Sequence, residues 1–166
     1  MTATPQDALE VLDAGHQAIA RLFQEFRELA ANAAPAARRK ALAEQVCLEL
    51  AIHARLEEEL FYPAVREAIR DDERMDEAEV EHAAARDLMV QVLSMAPHEE
   101  LYDAKVTVLG EYIEHHVRAE REQIFPKVRA SGMDLARLAE RLRVRRRELE
   151  AVPEALREEL LVSAMA

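Results

Sequence analysis

The chain has 166 residues, 50% hydrophobic and 33% charged, with a formal charge of −11 at pH 7. That length and apolar content suffice for one self-folding globular unit. The acidity excludes nucleic acid and anionic membrane surfaces as expected partners, because phosphate binding relies on clustered Lys and Arg.

Three Gly and six Pro leave few helix breakers among abundant Ala, Leu, Glu and Arg, which predicts an all-α fold. Leu9, Leu12, Ile19, Phe23 and Phe26 recur at threes and fours, so a first helix is expected from about Pro5 to Ala31, with His16 inside its apolar stripe. NAAPAARR interrupts the pattern at Pro35. A second helix is expected from about Ala36 to Ile69, carrying Val46, Leu50, His53, Leu56, Glu57 and Leu60 on one side, with Pro63 as a kink. RDDERMDE reads as a turn; Val80, His82, Ala85, Met89 and Val92 then mark a third helix, which ends at Pro97. The fourth carries Leu101, Val108, Leu109, Tyr112, Ile113, His116, Val117, Glu120 and Ile124 and closes near Gly132. Four amphipathic helices with short connections predict an up-down-up-down four-helix bundle over residues 1–131. Residues 132–166 form a C-terminal helical extension, packed on the bundle or used in association, broken at Pro153. Its arginines, Arg141, Arg143, Arg145, Arg146 and Arg147, alternate with Glu and read as a solvated face.

Two runs stand out. HARLEEELFYP at 53–63 and HVRAEREQIFP at 116–126 share a His, a Glu four residues on and a Pro ten residues on. Residues i and i+4 share a helix face with Cβ atoms about 5 to 6 Å apart, so His53 with Glu57 and His116 with Glu120 each form a two-ligand clip. Imidazole with carboxylate suits iron, manganese or zinc.

In an antiparallel bundle, residues at one height lie equally far from the turn that joins their helices. The midpoint of His16 and His53 falls at Ala34 and Pro35, that of the His53/Glu57 clip and His82 near Ala68 and Ile69, and that of His82 and His116 at Glu99. Each lies in or beside an expected turn. His16, His53, His82, His116, Glu57 and Glu120 are therefore expected to converge as metal ligands. Two carboxylates suit the bridging of two metals roughly 3.5 to 4 Å apart; a pair of Fe(II) ions is the expected occupant, its positive charge offset in part by the two glutamates and further reduced by a bridging hydroxide. Without metal, so many buried polar groups would be costly to desolvate. His115 should face outward and His98 lies in a turn, so neither is an expected ligand. A ferritin-like site, which combines Glu from two helices with Glu-x-x-His from each of the other two, is set aside because that arrangement is missing.

These residues resemble the hemerythrin-like, or HHE cation-binding, family: a His on the first helix, HARLEEELFYP on the second, EVEH on the third and HVRAEREQIFP on the fourth, over about residues 5 to 130. The resemblance implies a four-helix bundle around an oxo- or hydroxo-bridged di-iron centre that binds or responds to O₂, NO, peroxide or iron supply. Arg86 stands where oxygen-carrying members have a fifth histidine, and Glu120 at plus four replaces their Asp at plus five. The implied site is uncapped by protein, which favours turnover over reversible carriage. Tyr112 and Glu49, one turn before His116 and His53, and Arg86 are candidates for an extra ligand or an outer hydrogen-bond partner; the structural readings beside these are Tyr112 as a core aromatic, Glu49 as a surface residue and Arg86 as the ion-pair partner of a glutamate.

The first reading is thus a cytoplasmic di-iron protein, monomer or homodimer, whose partner is a small diatomic or peroxide ligand. Cys47 is the single cysteine, no apolar run reaches a membrane span, and MTATPQDALE lacks the basic start and apolar stretch of a secretory signal. A second reading is an enzyme with catalase, peroxidase or NO-reducing activity at the same centre. A third is a helical interaction module that needs no metal.

Overall fold

Asp7 starts the first helix. Its carboxylate accepts the Glu10 N–H at 3.0 Å while the Glu10 side chain accepts the Asp7 N–H at 2.8 Å, satisfying two donors that a helix start leaves open. In the computed structural model, which describes residues 4–164, α1 runs Ala8–Ala31 and so begins later than the expected start near Pro5. Residues 165 and 166, the end of the expected C-terminal helix, lie outside the described residues.

After Pro35, α2 (Ala36–Leu56), a π-helical turn (Glu57–Phe61) and α3 (Tyr62–Ile69) make one continuous rod. The fourth bundle member repeats this design, with α5 (Tyr102–Ala119), a π-helical turn (Glu120–Ile124) and α6 (Phe125–Ala130). Pro63 and Pro126 explain both turns. Neither has an N–H for the carbonyl four residues back, and each ring crowds that carbonyl. The chain widens just upstream: the Tyr62 N–H reaches the Glu57 carbonyl and the Phe125 N–H the Glu120 carbonyl, five residues back. What the sequence suggests as a kink at Pro63 is this wider turn.

RDDERMDE is not a turn. Only Arg70, in the left-handed region at φ 57, and Asp71 reverse the chain, and the Asp71 carboxylate accepts the Arg74 N–H at 3.4 Å to start α4 (Asp72–Ser94). Asp72 and Glu73 then favour the positive end of that helix. Gly132, at φ 75, follows α6, and α7 (Leu135–Glu150) and α8 (Pro153–Ser163) complete the chain. Among the described residues there are six helical rods and no strand.

α1 packs on α2 and α5, and α4 on the same two, so four rods close a bundle; α7 lies along α1 and α2, and α8 along α2 and α4. One apolar cluster includes Leu9, Leu12, Leu56, Phe61 and Val128 and continues into Leu138, Leu142 and Leu156 of α7 and α8. A second includes Ile19, Phe23, Val46, Met89 and Leu109. The buried line of α4 runs through Met75, Ala78, Ala85, Met89 and Val92, which leaves Val80, two residues from His82 and so on the opposite side, 70% exposed. Leu101 and Val108 of the expected fourth stripe are also exposed.

The arginines of α7 are only partly a solvated face. Arg141 and Arg147 are exposed. Arg145, however, forks onto Glu59 through Nε at 2.7 Å and Nη2 at 3.1 Å, and Arg146 donates to Glu49 at 2.7 Å, tying α7 to the second rod. No helix among the described residues is long and apolar enough to cross a membrane.

Candidate metal centre

Between the two apolar clusters lies a polar layer. His16, His53, Glu57, His116 and Glu120 are buried, and the His82 side chain is 9% exposed. The six side chains singled out by the sequence therefore meet at one level, each bundle rod contributing a histidine.

Glu57 is fully buried, and its two oxygens face different histidine pairs. Oε1 lies 2.9 Å from His53 Nε2 and 3.4 Å from His16 Nε2, whereas Oε2 lies 3.1 Å from His82 Nε2 and 3.7 Å from His116 Nε2. The His16 and His53 rings stand 4.5 Å apart, those of His82 and His116 4.7 Å. His16, His53 and Glu57 form one group able to hold a cation, and Glu57, His82 and His116 another. Glu57 belongs to both. Glu120 reaches across them on the other side, with Oε1 2.7 Å from His116 Nε2 and 3.5 Å from His16 Nε2.

The outer nitrogens are held separately. His82 Nδ1 is 2.9 Å from Glu58 Oε1, which also accepts from Arg86 Nη2 at 2.7 Å, and His116 Nδ1 is 2.5 Å from Glu81 Oε2. A carboxylate on Nδ1 fixes the tautomer that leaves Nε2 free to bind. Glu58 and Glu81 thus orient two histidines, and Arg86 is the ion-pair partner of a glutamate.

The polar layer is incompletely satisfied by protein. Both oxygens of Glu120 and Nδ1 of His16 are buried without a hydrogen-bond partner, even though Glu120 Oε1 is close to His116, because the approach is poorly aligned for a hydrogen bond. Buried carboxylate oxygens rarely stay unpaired. A cation between Glu120 and the facing Nε2 atoms would satisfy the carboxylate, so the donor set fits a metal, while His16 Nδ1 is turned to Asp13 Oδ1, 3.7 Å away.

Without metal, protons take that place. Burial lowers His16 and His82, but the facing glutamates outweigh it and raise both to about 9. Burial opposes the charge of Glu57 too, yet the surrounding imidazoles hold it well below 4.5.

Sequence reasoning missed Tyr62. Its hydroxyl donates to Glu57 Oε2 at 3.0 Å and lies 3.1 Å from Nε2 of both His82 and His116, so its oxygen could serve the second group as a further ligand. On a regular helix, residue i+5 points away from i; the π-turn widens the turn enough to bring Tyr62 over Glu57. Phe125 holds the matching place after Glu120 and stacks on His16, with centroids 6.1 Å apart. One histidine pair is thus flanked by a phenol and the other by an apolar ring.

Tyr112 is 48% exposed and does not reach the cluster, and Glu49 faces α7 through Arg146. One turn along a helix rotates a side chain by about 40°, enough to carry each off the inward face. His115 is exposed, with 74% of its side chain accessible, and His98 is exposed as well.

Gly15 was also missed. A Cβ there would stand 2.7 Å from His53 Nδ1, so the bare glycine is what lets the ring lie against α1. Gly15→Ala should gain about 1 kcal/mol of helix propensity while displacing His53. Metal titration against thermal melting checks this: the metal-free variant should melt no lower than wild type yet bind metal at least about tenfold more weakly, equivalent to about 1.4 kcal/mol.

A family model described as Hemerythrin HHE cation binding domain matches residues 7–128. Among solved structures, the chain is similar to a hemerythrin HHE cation binding domain-containing protein from Mycobacterium kansasii. The identity is 27% and the TM-score 0.76, over 96% of this chain and 99% of that one. No curated protein gives a significant match. Because the matched region spans all four bundle rods and every side chain of the polar layer, the chain belongs to the hemerythrin HHE cation-binding domain family.

Proposed function

We propose that this is a cytoplasmic non-haem di-iron protein that binds or senses a small ligand, O₂, NO or peroxide. The observation that supports it most is the division of Glu57 between two histidine pairs, which suits a carboxylate bridging two cations. In this reading His16 and His53 would hold one iron and His82 and His116 the other, with Glu57 and Glu120 shared between them and the Tyr62 oxygen available to the second. When bound, a pair of irons supplies Lewis-acid and electron-transfer chemistry toward such ligands.

The chain's own groups prepare the place. Glu58 and Glu81 hold His82 and His116 with Nε2 inward, and Phe125 with Phe61, packed edge to face at 5.9 Å, keeps water from one side. Burial and the nearby glutamates raise the Tyr62 phenol well above 10, so in the metal-free state it keeps its proton and its hydroxyl donates a hydrogen bond to Glu57. A second reading, turnover of peroxide or NO, is favoured by Arg86. That side chain turns to Glu58 instead of capping the cluster, which leaves a place for a reacting molecule.

Protein purified without chelator should carry two metal ions per chain by elemental analysis. His53→Ala and His116→Ala should lose most of this metal, and His98→Ala and His115→Ala should keep it; equal loss in both sets refutes the ligand assignment. Charge linkage gives a second check. His16 and His82, raised from 6.5 to about 9, stabilise the metal-free fold fully below pH 6.5 and lose that contribution as pH rises through about 9. Glu57, held below 4.5, stabilises above that pH and loses its contribution as pH falls through its lowered value. Metal-free protein should therefore melt highest near pH 5 to 6.5, while apparent metal affinity rises from pH 6.5 to 9 as metal displaces the two imidazole protons. A melting temperature unchanged by pH, or affinity that falls over that interval, contradicts this.

A further inference from the structure

A cavity of about 480 Å³ extends from the polar layer toward α8. His53, His82, His116 and Glu57 border its inner end. Its walls are mostly apolar, with Leu50, Ala85, Met89 and Ile113 from the bundle and Leu156 and Leu160 from α8. O₂, NO or hydrogen peroxide needs about the room of a water molecule, roughly 30 Å³, so the cavity is more than tenfold too large for any of them. A dry apolar cavity of about 150 Å³ already accepts benzene.

Charge narrows the occupant further. Arg55 pairs with Glu159 of α8 and, at 3.3 Å, with Glu59, and Arg86 pairs with Glu58 at 2.7 Å. Every guanidinium on the lining is matched by a carboxylate, and the histidines at the inner end already face Glu57 and Glu120, so the apolar wall offers no unmatched cation to the acid group of a fatty acid or a phosphate. The interior thus fits a neutral body with one polar end. Of the three small ligands considered above, only peroxide can carry such a body, because one of its oxygens can be bonded to carbon.

We propose that the cavity is a binding site for a neutral organic hydroperoxide with a branched or aromatic body. The body lies against Leu50, Met89, Ile113 and the α8 leucines, and the hydroperoxide end faces the histidines. The orientation of that end rests on the di-iron reading; the fit of the body does not. α8 follows the region matched by the family model, so the outer wall that selects the body comes from the C-terminal extension.

The probes are cumene hydroperoxide and its unreactive relative 2-phenyl-2-propanol, measured by calorimetry and ligand-detected NMR on the full chain. Metal-free protein should bind both saturably and competitively, and hydrogen peroxide should not displace them. Leu160→Trp on the outer wall and Ala85→Phe on the inner wall should each weaken binding at least about tenfold, equivalent to about 1.4 kcal/mol, with the helical circular dichroism of Leu160→Trp unchanged. In protein loaded with Mn(II), relaxation of the bound alcohol should be faster at its methyl groups, beside the hydroxyl, than at the far ring proton. Absence of saturable binding, or undiminished binding by Leu160→Trp, overturns the proposal, as does faster relaxation at the ring end. Failure to take up metal at all would instead refute the di-iron reading, and the metal-free isotherms would still decide the cavity.

Discussion

A carboxylate with no exposed surface, its two oxygens turned toward different pairs of imidazoles, is the constraint around which this bundle is organised. Burying an unpaired carboxylate is among the most unfavourable changes a fold can make, and Glu57 has no surface position to retreat to. Its environment follows from that fact. Four rods each supply a histidine, Tyr62 supplies a hydroxyl, and Glu58 and Glu81 hold two imidazoles from outside. Two apolar clusters close the layer above and below. The arrangement is held in the metal-free state by protons on His16, His82 and His116, and those imidazoles become available to cations when the protons leave.

The two π-helical turns connect sequence to site. Each proline ten residues after a histidine removes a backbone donor, and each turn that compensates begins at the glutamate of the same motif. The proline therefore does more than end a helix: it shifts the register of everything after the glutamate by one residue. This places Tyr62 over one histidine pair and Phe125 over the other. The resulting asymmetry, a phenol on one side and a hydrocarbon ring on the other, would make two cation positions chemically unequal.

Much of this was legible in the sequence, because a period of 3.6 residues and equal distances from the turns carry real information on which side chains meet. The apolar stripe of α1 and the convergence of the six polar residues follow from those rules. What escaped them has identifiable causes. Tyr62 is invisible to a regular helical period because it depends on the wider turn. Gly15 matters through an atom it lacks, and Glu81 and Glu58 look like any other acid in an acidic chain. Tyr112 and Glu49 were misplaced by about 40° of rotation, and Glu49 also because Arg146 of α7 draws it outward. That arginine shows how α7 and α8 contribute: between them they cover three rods of the bundle, and α8 supplies the outer wall of the cavity beside the polar layer.

The central claim is that Glu57 lies between two metal ions. Anomalous diffraction at the iron edge, from crystals of protein loaded with iron, tests it most directly. Two peaks are expected roughly 3.5 to 4 Å apart, one beside His16 and His53 and one beside His82 and His116, with Glu57 between them. A single peak on one histidine pair, or iron located away from Glu57, would contradict it.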